Sequence, residues 1–152
     1  MHTSHSCPEC GARYASADDS CAARFDALLA LDHSRREPWG SRHGQAFAAF
    51  ALQHPATYPK SLDSAWVALY RIYCLNERPA IVFADLRGKR TRPSSGVEVP
   101  PRPTEGAKDA AVTIADLTDF AAATYAARLD AWCRSALVAW GANLPSHASD
   151  QD

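Results

Sequence analysis

The 152-residue sequence lacks an excess of charge of either sign: sixteen Lys and Arg stand against seventeen Asp and Glu, a formal net charge of -1. No global field recruits nucleic acid or anionic lipid, so any such binding must be local. The sequence also lacks an apolar run near the ~20 residues that a membrane-spanning helix needs, which excludes a transmembrane chain. No basic segment followed by an apolar stretch stands at its start, so no secretory leader is expected and the reading is of a cytoplasmic protein. Internal repeats, a nucleophile elbow, a Walker loop and a dinucleotide fingerprint are absent too. What remains is 47% hydrophobic and 22% charged, the balance of a soluble globular chain of one-domain length.

Helical spacing dominates what is present. Asp18, Asp19 and Ser20 are favoured cap types, and Phe25, Leu28, Leu29 and Asp32 follow at three- and four-residue steps, which predicts a helix from about Asp19 to His33. Pro38 and Gly40 close it. Ser41 can cap a second helix, Arg42 to His54, which Pro55 ends; the short link makes the two an antiparallel pair. Trp66, Leu69, Tyr70 and Tyr73 mark a third helix from Leu62 to Asn76. Ala80 to Phe83 reads as a brief β-prone run, and Arg87 to Gly106 as a long loop without periodicity. A last helix runs from Ile114 or Asp116 to Trp140, stopped by Gly141, with a frayed tail from Leu144.

The expected fold is therefore mainly α, a small four-helix bundle with an N-terminal zinc knuckle. Within a single domain the chain divides into a knuckle segment (1–17), a helical hairpin plus third helix (18–78), an irregular basic and Pro-rich loop (79–112) and a C-terminal helix (113–141). Cys74, Cys133, Trp66, Trp132 and Trp140 read as core, and Asp130 as a solvated face residue.

The chemistry begins with cysteine. Cys7-Pro8-Glu9-Cys10-Gly11 sets two thiols two residues apart in a turn, as a tetrahedral zinc site requires. Cys21 adds a third at the start of the first helix, where the helix dipole favours thiolate. For the fourth ligand, His33 lies about 18 Å from Cys21 along the first helix at ~1.5 Å per residue, and His43 lies about 16 Å from His54 along the second. Antiparallel pairing brings His54 beside Cys21, so the expected metal set is Cys7, Cys10, Cys21 and His54. Its competing role is that of a histidine capping the last carbonyls of its helix. His2, His5 and His147 fall in tails and are weak candidates.

The same geometry sends Asp32, His33 and His43 to the other end of the pair, near Arg35, Arg36 and Glu37. A carboxylate with imidazoles can bind a metal with open positions or move protons. The competing expectation is a solvated loop in which Asp32 pairs with an arginine.

Cys7-Pro8-Glu9-Cys10-Gly11-Ala12, the third Cys21 followed by Phe25 and Leu28-Leu29-Ala30-Leu31, His43, the tetrad Leu52-Gln53-His54-Pro55, and the ending Thr113-Ile114-Ala115-Asp116 with the Trp132 to Trp140 helix resemble the uncharacterised bacterial family called domain of unknown function 5946. The resemblance spans most of the chain except the middle loop. It implies a zinc-knuckle-like site and an acidic residue at Asp32, and it carries no activity. The Arg-rich link containing Trp39 departs from the family pattern.

Three functions follow in order. A complete Cys7/Cys10/Cys21/His54 shell leaves a zinc no open position, so the first reading is a zinc-stabilised, non-catalytic module that binds a protein or small ligand. The second is a small metal-dependent enzyme using Asp32, His33 and His43 as its catalytic group. The third is nucleic-acid binding through residues 87–102, where Arg87, Lys89, Arg90, Arg92 and Arg102 face the single acid Glu98. That stretch lacks interleaved aromatics for base stacking, which weakens the third reading.

Overall fold

In the computed structural model the described residues are 4–93, 95–106 and 110–145. A two-residue antiparallel hairpin, β1 (His5–Ser6) and β2 (Arg13–Tyr14), opens the chain. The α-helices that follow are α1 (Cys21–His33), α2 (His43–Gln53), α3 (Leu62–Leu69), α4 (Pro79–Arg87) and α5 (Ala122–Ala139). The molecule is mainly helical, as expected, with five α-helices among the described residues where four were expected.

Ser20 starts α1: its hydroxyl accepts from the Ala23 amide at 3.0 Å. Short 3₁₀ turns, Gly40–Arg42 and Pro59–Ser61, lead into α2 and α3, and a π-turn, Tyr70–Cys74, prolongs α3 close to the expected end at Asn76. The α1–α2 pair is antiparallel by its contacts. Cys21 at the start of α1 meets the His54 end of α2, and Asp32 at the end of α1 meets His43 at the start of α2. Phe25 and Phe50 stack at 4.1 Å between these ends.

Two expectations are corrected. Residues Ala80–Phe83 are helical within α4. Pro79 sits in the first turn, where its missing N–H costs nothing. Val82 is fully buried against Ala68 and Ile72, so packing overrides the β-prone run. The last helix does not begin at Ile114 or Asp116. Ile114–Leu117 is a separate 3₁₀ turn held by a Thr113–Asp116 capping box, and the chain then reverses through Thr118 and Phe120, both at positive φ. That reversal buries Phe120 and turns its carbonyl onto the indole N–H of Trp39 at 2.9 Å.

Other expected roles shift locally. His5 lies in β1, and its Nε2 reaches the Ser16 and Asp19 carbonyls at 3.1 and 2.8 Å. His2, His147 and the tail beyond Pro145 lie outside the described residues. Asp130 is half-buried and accepts from the Tyr73 hydroxyl at 2.7 Å. Beyond α4 the chain meets α3: the Pro100 carbonyl accepts from Trp66 at 2.8 Å, Arg102 pairs with Asp63, and Arg92 pairs with Glu98.

Trp66, Trp132, Trp140 and Cys133 are buried, in one hydrophobic cluster that reaches from Cys10 and Tyr14 in the hairpin to α5.

Candidate metal centre

The hairpin delivers two of the donors. Between β1 and β2 the Cys7 amide donates to the Ala12 carbonyl at 2.7 Å, and the Gly11 amide donates to the Cys7 carbonyl at 3.0 Å. Gly11 takes φ 80°, which closes the turn without a Cβ clash. Cys7 and Cys10 therefore face the same side. Cys21 comes from the first turn of α1, and His54 from the position just past α2.

The Cys7, Cys10 and Cys21 sulfurs and a His54 nitrogen all lie within 4.8 Å of one another. The Cys10 and Cys21 sulfurs are 3.5 Å apart, and Cys7 Sγ is 3.6 Å from His54 Nε2. The sulfur–sulfur distance is far too long for a disulfide of about 2.05 Å. It is close to the S–S edge of about 3.8 Å that bonds of ~2.3 Å to a central ion would impose. Cys10, Cys21 and His54 are buried, so without an ion three thiols and an imidazole would share a dry pocket with few other partners. The residues present fit a metal ion.

Neighbours prepare the donors. His54 Nδ1 donates to the Phe50 carbonyl at 2.8 Å, one turn back on its own helix, which leaves Nε2 with its lone pair toward the sulfurs. The capping role is thus filled by Nδ1, and Nε2 is the nitrogen that could meet an ion. The hydrogen bond between Cys10 and Cys21, with further ones from His54 and Tyr14, holds Cys21 well below the usual thiol range. The same Cys10–Cys21 bond, helped by burial, pushes Cys10 up. An ion at the centre would replace that shared proton.

Two supporting residues were not anticipated from the sequence. The Tyr14 hydroxyl donates to Cys21 Sγ at 2.9 Å, and Glu9, inside the knuckle, accepts from the Ala56 amide at 2.6 Å and the Thr57 hydroxyl at 2.7 Å. Glu9 thus sews the turn to the segment that follows His54. Only its position between the two cysteines could have drawn notice.

At the far end of the α1–α2 pair, Asp32 Oδ2 and His43 Nδ1 meet at 2.8 Å, and the His33 ring lies 5.8 Å from that of His43. The Asp32 side chain is 0% exposed and that of His43 42%. Asp32 is therefore not the partner of an arginine in a solvated loop. Burial pushes its carboxyl up, against a smaller opposing pull from His43. Its Oδ1 is buried with no hydrogen-bond partner, as is the hydroxyl of Tyr125. Among the described residues the cysteine cluster is the group of three or more Cys, His or acidic side chains placed to hold an ion. The Asp32, His33 and His43 donors do not form a second such group.

The chain belongs to a family of unknown function, DUF5946, whose model matches residues 5–141. No curated protein and no solved structure matches it.

Proposed function

We propose that this member of the DUF5946 family is a zinc-stabilised binding module, in which Cys7, Cys10, Cys21 and His54 hold one structural zinc. The closed donor set carries the reading: three sulfurs and one imidazole complete a tetrahedron, so a bound zinc keeps no position for water or substrate. Such an ion would tie the hairpin to the start of α1 and the end of α2. Its binding free energy would be folding free energy, because the donors meet only in the folded chain. Elemental analysis of protein purified without chelators should find one zinc per chain. Cys10→Ser should lose both the ion and the cooperative unfolding transition; protein without metal would overturn the reading.

A second reading, a small metal-dependent enzyme at Asp32, His33 and His43, is favoured by one observation: Asp32 and His43 are in direct contact, as two ligands of one ion or an oriented acid–imidazole pair would be. The same ion count tests it. Two ions per chain, the second lost in His43→Ala with folding and the first ion intact, would support it, whereas a single ion would leave the binding module standing alone.

A further inference from the structure

A cleft of about 690 Å³ lies at the other end of α2 from the cysteine cluster and is walled by α2, α3 and α4. Its size is that of a small-ligand site. Its floor is apolar, with Phe47 and Ala48 from α2, Ala65 and Ala68 from α3, and Phe83 and Leu86 from α4.

The polar part of the lining is one-sided. Lys60, Arg87 and His43 border the cleft and no Asp or Glu does. Within the described residues Lys60 and Arg87 make no ion pair, whereas Arg24, Arg42, Arg71, Arg92 and Arg102 do. The Ser61 and Ser64 hydroxyls at the rim likewise make no hydrogen bond there. Phe83 fits over the start of α2 because position 44 is glycine: a Cβ there would meet the ring at 2.7 Å. That contact keeps the wall of α4 close to α2 and the cleft narrow.

We infer that this cleft binds a small amphiphilic carboxylate, its apolar chain on the Phe47–Ala65–Phe83 floor and its head paired with Lys60 or Arg87 and hydrogen-bonded by the serines. Charge complementarity selects an anion, since a cationic or neutral head would leave the two cations unpaired. Two separate cations among neutral hydroxyls match a single negative charge better than a polyphosphate, which takes a glycine-rich turn of backbone amides. The inference rests on the binding-module reading and supplies its ligand class.

Calorimetric titration of the metal-loaded protein with decanoate and decyltrimethylammonium below their micelle concentrations, and with decanol below its solubility limit, tests it. Decanoate should bind at least tenfold more tightly than the other two. Lys60→Glu combined with Arg87→Glu, at two exposed and unpaired positions, should weaken decanoate tenfold or more and leave decanol unchanged. Ser64→Trp, which fills the rim, should weaken all ligands. Equal binding of the three amphiphiles, no decanoate binding at millimolar concentration, or indifference to the charge reversal would overturn the inference. Metal content and melting of the same samples report separately on the zinc reading, so failure of one is distinguishable from failure of the other.

Discussion

Asp32 is the residue whose environment departs most from its chemistry. A carboxylate with one oxygen bonded to His43 and the other buried without a partner carries a desolvation cost of about 1–3 kcal/mol. Its folded-state pKa is raised, chiefly by burial. The folded chain therefore holds the proton more tightly than the unfolded chain does. Asp32 favours folding below its unfolded pKa of about 3.9, and that contribution disappears as pH rises through the folded value. At neutral pH the ionised group opposes folding. Asp32→Asn is neutral at every pH and can still accept from His43, so it should stabilise the protein by about 1 kcal/mol at pH 7.5, with the difference shrinking toward pH 4.5. Urea unfolding of both proteins at the two pH values measures this, and loss of stability in the variant at pH 7.5 would show the carboxylate to be worth more than its burial costs. The cysteines and His54 were legible in the sequence because metal spacing and helix rise are one-dimensional rules. The burial of Asp32 and the supporting roles of Tyr14 and Glu9 were not, since each depends on a partner 7 to 48 positions away.

At the scale of elements, α1, α2 and α3 were readable from periodicity and caps, whereas α4 was not. Four β-prone residues outweighed a signal that was present: Pro79, Val82 or Phe83, and Leu86 recur at three- and four-residue steps after a proline suited to a first turn. What fastens α4 is also invisible locally. Arg71, fully buried in the π-turn after α3, forks onto Glu77 at 2.8 and 2.7 Å and onto Asp85 of α4 at 2.7 Å, with Nη1 left unpaired. Removing Glu77 takes two of the three bonds from a buried guanidinium and leaves its Nε without a partner, while replacing the arginine by an apolar side chain removes the desolvation cost along with the pairs. Glu77→Ala should therefore destabilise by about 3 kcal/mol, and Arg71→Met should cost markedly less. Denaturant midpoints of the two variants decide it, and equal losses would mean that the ion pairs carry net stability.

Across the whole molecule the packing is uneven. One core joins Cys10, Ala12 and Tyr14 of the hairpin to Phe25, Phe50, Trp132 and Leu137, while α4 rests on a small separate cluster of Ala68, Ile72 and Val82. Gln53 crosses the main core from α2: its carbonyl accepts from Trp132 of α5 at 2.8 Å, and its amide donates to the Val112 carbonyl at 2.8 Å. Elements linked in this way should unfold together, and an ion bound at the cysteine cluster should act on all of them through mass action. Chelation should then lower a single melting transition instead of splitting it. Native-state hydrogen exchange should separate α4 from the rest, because a helix with one fully buried residue can open without exposing the main core. The amides of α4 are expected to exchange through a local opening insensitive to metal, and those of α2 and α5 only by global unfolding that slows when metal is present. Protection of α4 equal to that of α5, or rising with it as metal is added, would show that the wall of the cleft belongs to the same cooperative unit as the main core.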